Sequence, residues 1–157
     1  MKEIERIKEQ LRRSLEGEAW HGPSLLEVVD GIDAKAALAK PIANAHSIWE
    51  IVRHVTVDAR EVLGRLRGVA RDLTPEDDWP PVDPSADDKQ WRTDIEQLKR
   101  VHSELFEEIE RADDSKLDDP IVEGFSSTYI TLHGLVQHNL YHAGQIAILR
   151  KGVKASS

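Results

Sequence analysis

Residues 121–150 contain no proline, and within this run His138 and His142 stand four apart. An uninterrupted stretch of that length favours a helix. There, positions i and i+4 lie about 40° apart on one face, one turn above the other. Leu135, His138, His142, Gln145 and Leu149 then share a single stripe. Leucines at both ends turn the stripe toward the interior. Imidazoles buried there are costly unless they are hydrogen-bonded or hold an ion. The stretch Gln137–Ile146 therefore has two readings, a pair of satisfied core histidines or half of a metal site. The metalloprotease pattern HExxH is absent, because Asn139 follows His138.

The rest of the chain offers partners for this helix. Ile4, Ile7, Leu11 and Leu15 recur at helical spacing before Gly17. Gly22-Pro23 marks a turn, and Ser24 with Glu27 forms a capping box for a short helix through Val29. Asp33–Ala39 is a further helical scrap that ends at Pro41. A second long helix is expected from Ala45 to about Arg67 with Asn44 as its cap, apolar around most of its circumference. Residues 68–85 carry four prolines and read as a loop crossing the surface. A third long helix is expected from about Ala86 to Arg111, with Ile95, Leu98, Val101, Leu105 and Ile109 on one face. The last helix is expected to run to about Arg150, with Gly152 as its stop. No strand pattern and no internal repeat appears. These features predict one all-α domain over residues 1–157, a four-helix bundle whose long connections permit crossovers.

Composition narrows the function. The net charge of −8 argues against a phosphate backbone as partner. No apolar window reaches the length of a membrane span, and Met1–Leu15 lacks the apolar core of a secretory signal. With no cysteine there is no disulfide, thiolate ligand or Cys nucleophile. The expectation is a cytoplasmic protein acting on small molecules, with neither nucleic acid nor membrane as partner.

Of the seven histidines, the five outside the His138 and His142 pair compete for the role of third ligand. His54 falls in the apolar second helix and is the best candidate. Three neutral imidazoles with an open fourth position is the composition of a catalytic zinc-type site, and it also suits Ni²⁺, Fe²⁺ or Mn²⁺. His133 lies about 180° from His142 and is read as surface or packing. His46 is read as a helix-end residue and His102 as partly exposed. His21, in Trp20-His21-Gly22-Pro23, is either a turn residue or a pocket candidate folded over the bundle mouth. Asp58, one turn past His54, is read as a solvated carboxylate or as an outer partner of an imidazole. Trp49 is assigned to the core, and Trp20, Trp79 and Trp91 to loop anchors or a pocket cover.

The runs His46-Ser47-Ile48-Trp49-Glu50-Ile51-Val52-Arg53-His54, Trp20-His21-Gly22-Pro23-Ser24 and His138-Asn139-Leu140-Tyr141-His142-Ala143-Gly144-Gln145-Ile146, with the Asp77-Asp78-Trp79-Pro80 loop, resemble the DinB/YfiT-like proteins. The likeness covers nearly the whole chain in order. It implies a four-helix bundle that holds a divalent metal through three histidines, matching His54, His138 and His142. It also implies a homodimer, and a metal-dependent transferase using a low-molecular-weight thiol, or a hydrolase. Two alternatives stand beside an enzyme. One is a stress-response or binding module whose metal only staples the bundle. The other is a helical interaction protein with no ion.

Overall fold

The computed structural model describes residues 1–155; Ser156 and Ser157 lie outside the described residues. Four long helices carry the architecture: α1 (Glu3–Glu16), α4 (Ile48–Leu66), α6 (Asp88–Arg111) and α7 (Thr128–Ala155). Three short ones sit in the connections: α2 (Leu25–Val29), α3 (Ala34–Leu38) and the single turn α5 (Pro75–Asp78). No strand occurs among the described residues, only an isolated bridge between Pro120 and Ser127.

Side-chain pairs fix the helix directions. Trp49 and Arg53 meet Asp94, and Arg67 meets Glu104 and Glu108, so α4 and α6 run parallel. Lys8 meets Glu110 while Ser14 and His102 both meet Asn139, so α1 runs antiparallel to α6 and parallel to α7. The order is therefore up-down-down-up. Two parallel consecutive helices demand a connection that travels back along the bundle, and residues 67–87 are that connection. Arg71 pairs with Glu61, Asp78 with His54, and Pro81 with Arg53. The returning chain thus lies along α4 from its C-terminal end to its N-terminal half.

The caps show where sequence reading misplaced boundaries. α4 begins after Ser47, whose hydroxyl accepts from Glu50 N–H while Glu50 reaches back to Ser47 N–H. Asn44 is not the cap. It sits at φ 64°, a left-handed turn conformation that Asn tolerates. α6 is capped by Asp87. Gly152 does not stop α7, which continues to Ala155. Its role is closeness: a Cβ there would lie 2.9 Å from Pro41 Cβ, so the residue 39–47 segment packs directly on the helix.

Two apolar clusters fill the bundle. One gathers Leu15, Leu25, Trp49, Val52, Leu98 and Ile146; the other gathers Ile7, Leu11, Leu63, Leu105, Ile109 and Leu132. Between them lies a polar layer of Ser14, His102 and Asn139, all buried. His102 is fully buried rather than partly exposed, because it shares the inner face of α6 with Leu98, Leu105 and Ile109. Its Nδ1 lies 2.9 Å from the Leu98 carbonyl, which can only accept. Nδ1 therefore carries the proton, and Nε2 accepts from Asn139 Nδ2 at 3.3 Å. Asn139 Nδ2 also donates to Ser14 Oγ at 3.2 Å, and Ser14 Oγ donates to the Leu11 carbonyl.

Burial pushes the His102 pKa down to about 4, against an ordinary value near 6.5. The unfolded chain takes up this proton first as pH falls. The contribution is therefore complete above pH 6.5 and drains away toward pH 4, by about 3 kcal/mol in total. Denaturant unfolding measured from pH 7 to pH 4 should show an acid limb that flattens in His102→Leu, by up to about 1.4 kcal/mol per pH unit. An identical limb in the variant would mean that this imidazole is not held neutral.

Candidate metal centre

His54 projects from α4, and His138 and His142 from one face of the antiparallel α7. His54 and His142 are 7% and 4% exposed, and His138 is half-buried. Their Nε2 atoms converge: His54 to His138 is 3.0 Å, and His142 to His138 is 3.0 Å. The rings stand edge to face, with centroids 4.3 to 4.9 Å apart.

The far side of each ring decides what these contacts are. His54 Nδ1 lies 2.9 Å from the Asp78 carbonyl oxygen, so Nδ1 carries a hydrogen and Nε2 presents a lone pair. His142 Nδ1 lies 2.7 Å from Gln145 Oε1, and the same argument gives its Nε2 a lone pair. Asp58 Oδ2 adds a third acceptor, 2.7 Å from His138 Nε2 and 3.6 Å from His54 Nε2. A proton on His138 Nε2 can serve one of these three properly, and His138 Nδ1 is buried without any partner. Electron-pair donors facing one another with at most one proton among them repel unless a cation lies between them. Donors about 2.1 Å from a common ion are separated by about 3 Å at right angles and about 3.4 Å at the tetrahedral angle. The donor set fits a divalent metal, and the group His54, His138 and His142 can hold one.

Protonation states agree. His142 is held neutral, its pKa pushed down to about 4 by burial and then by neighbouring His138. Burial alone would raise the Asp58 pKa, but its hydrogen bond to His138 and the charges of the imidazoles outweigh this and lower it. Neutral imidazole and ionised carboxylate are the forms that ligate metals.

The return loop closes one side. Trp79 stacks flat on His54, with centroids 3.9 Å apart and planes 6° apart. His46 stacks on the opposite face of the same indole at 3.7 Å. His46 is thus more than a helix-end residue, since it pins the tryptophan that covers a candidate ligand. The Asp78 carboxylate also reaches His54 Nδ1, at 3.2 Å. Thr74 caps the single turn of α5 and aims this Asp78-Trp79 pair.

Other candidates fall elsewhere. His21 is exposed in the turn between α1 and α2, and neither converging donor group among the described residues contains it. His133 packs its ring against Tyr129. Trp20 is fully exposed and covers nothing, whereas Trp91 is buried and donates to the Ile32 carbonyl. Asp58 is no plain solvated carboxylate: it pairs with His138 from the Nε2 side, where the ion would sit.

A groove of about 300 Å³ runs from His138 and Asp58 along α4 and α7 past Glu61, Leu73 and Thr131 to Arg65. Sequence reading missed it. The signal was there in His54, Asp58, Glu61 and Arg65, which step by 4, 3 and 4 along one face of α4. A larger cleft of about 900 Å³ lies between the α2–α3 turn and α6. It is lined by none of these histidines; the smaller groove is the one that reaches His138.

No curated protein and no solved structure matches the chain in the comparisons made. The sequence model of the DinB superfamily matches residues 19–146, a span that includes all three converging histidines and the Trp79 loop. An all-helical bundle, a buried three-histidine cluster and that match give one conclusion: the chain belongs to the DinB superfamily.

Proposed function

We propose that the protein is a divalent-metal-dependent enzyme acting on small molecules, with His54, His138 and His142 as the metal ligands. The observation that carries this reading is the meeting of three imidazole Nε2 atoms with the Asp58 carboxylate, with at most one proton among them. A bound divalent ion lowers the pKa of a water or thiol held beside it and so supplies a nucleophile at neutral pH. The chain has no cysteine, so a thiol nucleophile must enter as a low-molecular-weight co-substrate. Asp58, ionised and aimed at the same point, is placed to accept the proton that such a molecule releases. The Asp78 carbonyl and Gln145 fix the tautomers of His54 and His142, and Trp79 keeps water from one face of His54.

Asp58 also supports a second reading. Three imidazoles and a carboxylate make four donors, and a closed set of four is typical of a structural ion. The metal would then hold α4 to α7 and catalyse nothing. Assay of the Zn- or Ni-loaded protein with a low-molecular-weight thiol plus an electrophile, and with ester or amide substrates, separates the readings. Metal-dependent turnover supports the enzyme; its absence across both classes favours the staple.

Either reading requires tight binding at this position. Wild-type protein should hold one divalent ion per chain, while His54→Ala and His142→Ala weaken binding by about a hundredfold or more. Saturating metal should raise the unfolding temperature by about 10 °C, and a chelator should reverse the rise. Equal metal content in the alanine variants would remove the site.

We also propose that two copies pair through the outer face of α7, forming a homodimer. Residues 128–149 contain no Asp, Glu, Lys or Arg in a chain that is 32% charged. Ile130, Tyr141 and Ile148 are 59%, 65% and 60% exposed on that face. With Gly134, Gln137 and Gly144 they make a stripe at spacings of 4, 3, 4, 3 and 4, which reads the same from either end. A two-fold axis at residue 139 sets Ile130 opposite Ile148 of the second copy and Gly134 opposite its Gly144, as an isologous interface requires. A Cβ at either glycine would meet nothing within 4 Å, so the helices are free to approach closely. The same axis brings exposed Lys151 and Lys154 toward the acidic loop of Asp118, Asp119 and Glu123. Light scattering after gel filtration should give twice 17.7 kDa for the wild type and 17.7 kDa for a folded Ile148→Asp. A monomeric wild type at tens of micromolar, or a dimeric variant, would exclude this interface.

A further inference from the structure

We infer that the α4–α7 groove selects small molecules carrying a carboxylate about two helical turns from the atom that meets the metal, with Arg65 as the anchor of that carboxylate. The inference rests on the metal reading above and extends it to substrate class.

Arg65 lines the same groove as Asp58 and His138. It lies seven residues beyond Asp58 on α4, a rise of about 10 Å. The neighbouring charges are already matched. Glu61 is taken by Arg71 from the return loop, and Glu104 and Glu108 by Arg67. Arg65 has no carboxylate within ion-pair distance among the described residues. Its Nε is buried and lacks a hydrogen-bond partner, so a desolvated donor is left unpaired. Leaving such a donor unmade is costly, more so for a charged group. Its guanidinium lies over the Phe125 ring, 4.6 Å from the centroid. A guanidinium held by its face keeps its N–H edge for other partners, and that edge matches a carboxylate in a two-bond fork. The groove is thus electrically polar along its length. The metal end carries Asp58, whose charge the divalent ion would compensate; the middle carries the Glu61–Arg71 pair; the far end carries a cation with no counterion. A ligand that spans the groove satisfies both ends only if its tail is anionic.

The probe is the monohydroxamate of an eight-carbon dicarboxylic acid, compared with its methyl ester. The hydroxamate head binds divalent metals, and only the tail differs. Both are titrated calorimetrically into full-length protein whose metal content has been measured. The free acid should bind about tenfold or more tightly than the ester. In Arg65→Gln the acid should fall to the level of the ester, with ester binding unchanged. In Arg65→Lys part of the preference should return. Equal binding of acid and ester by the wild type overturns the inference while leaving the metal site intact. So does a preference that survives in Arg65→Gln. Failure of both probes to bind metal-loaded protein means that the ion has no open position, which overturns the enzyme reading and this inference with it. The acid-to-ester ratio of the wild type alone decides the matter if a variant does not fold.

Discussion

Three imidazole Nε2 atoms and a carboxylate pressed toward one point form the constraint around which this bundle is arranged. Two of the three rings are committed from behind. The Asp78 carbonyl takes the His54 Nδ1 proton and Gln145 takes that of His142, so neither ring can swap tautomers to relieve the crowding at Nε2. One proton on His138 satisfies Asp58 alone, and a divalent cation would satisfy the whole set. The helices that supply it gain their rigidity elsewhere. Asn139 stands between His138 and His142 in sequence yet points into the core, where it ties α7 to His102 of α6 and Ser14 of α1. One turn of α7 thus serves two polar layers facing different ways. Its rotation about its own axis is fixed by buried hydrogen bonds as well as by apolar packing.

The up-down-down-up order has a consequence for the centre. Parallel α4 and α6 force the chain to return along the bundle, and the returning segment is what covers His54. Thr74 and Asp77 close a single helical turn, and that turn presents the Asp78 carbonyl and the Trp79 ring together. A direct antiparallel connection between these helices would have left His54 without its Nδ1 acceptor and without a lid. The topology and the second layer of the site are therefore one feature.

Much of this was readable in the residues. Helical spacing identified the four long elements, and the i, i+4 pair on a proline-free run located two of the three donors. His54 was legible because it falls among Ile51, Val52 and Val55 on the largely apolar side of its helix, where a histidine needs a partner. Boundaries were harder. Asn44 and Ser47 both look like caps, and only the paired Ser47–Glu50 bonds decide between them. Gly152 looks like a stop because the approach of Pro41, which explains it, is a long-range contact. His102 looked half-exposed because periodicity gives the direction of a face but not how deeply it is buried. The roles of Trp79, Asp58 and Arg65 depend on the path of an irregular loop and on the facing helix. No local pattern encodes either.

X-ray diffraction from crystals of the metal-loaded protein, recorded at the absorption edge of the ion, tests the centre most directly. The account predicts one anomalous peak per chain, about 2.1 Å from Nε2 of His54, His138 and His142. A peak elsewhere, coordination through Nδ1, or a fully loaded protein in which any of the three rings points away from the ion would contradict it.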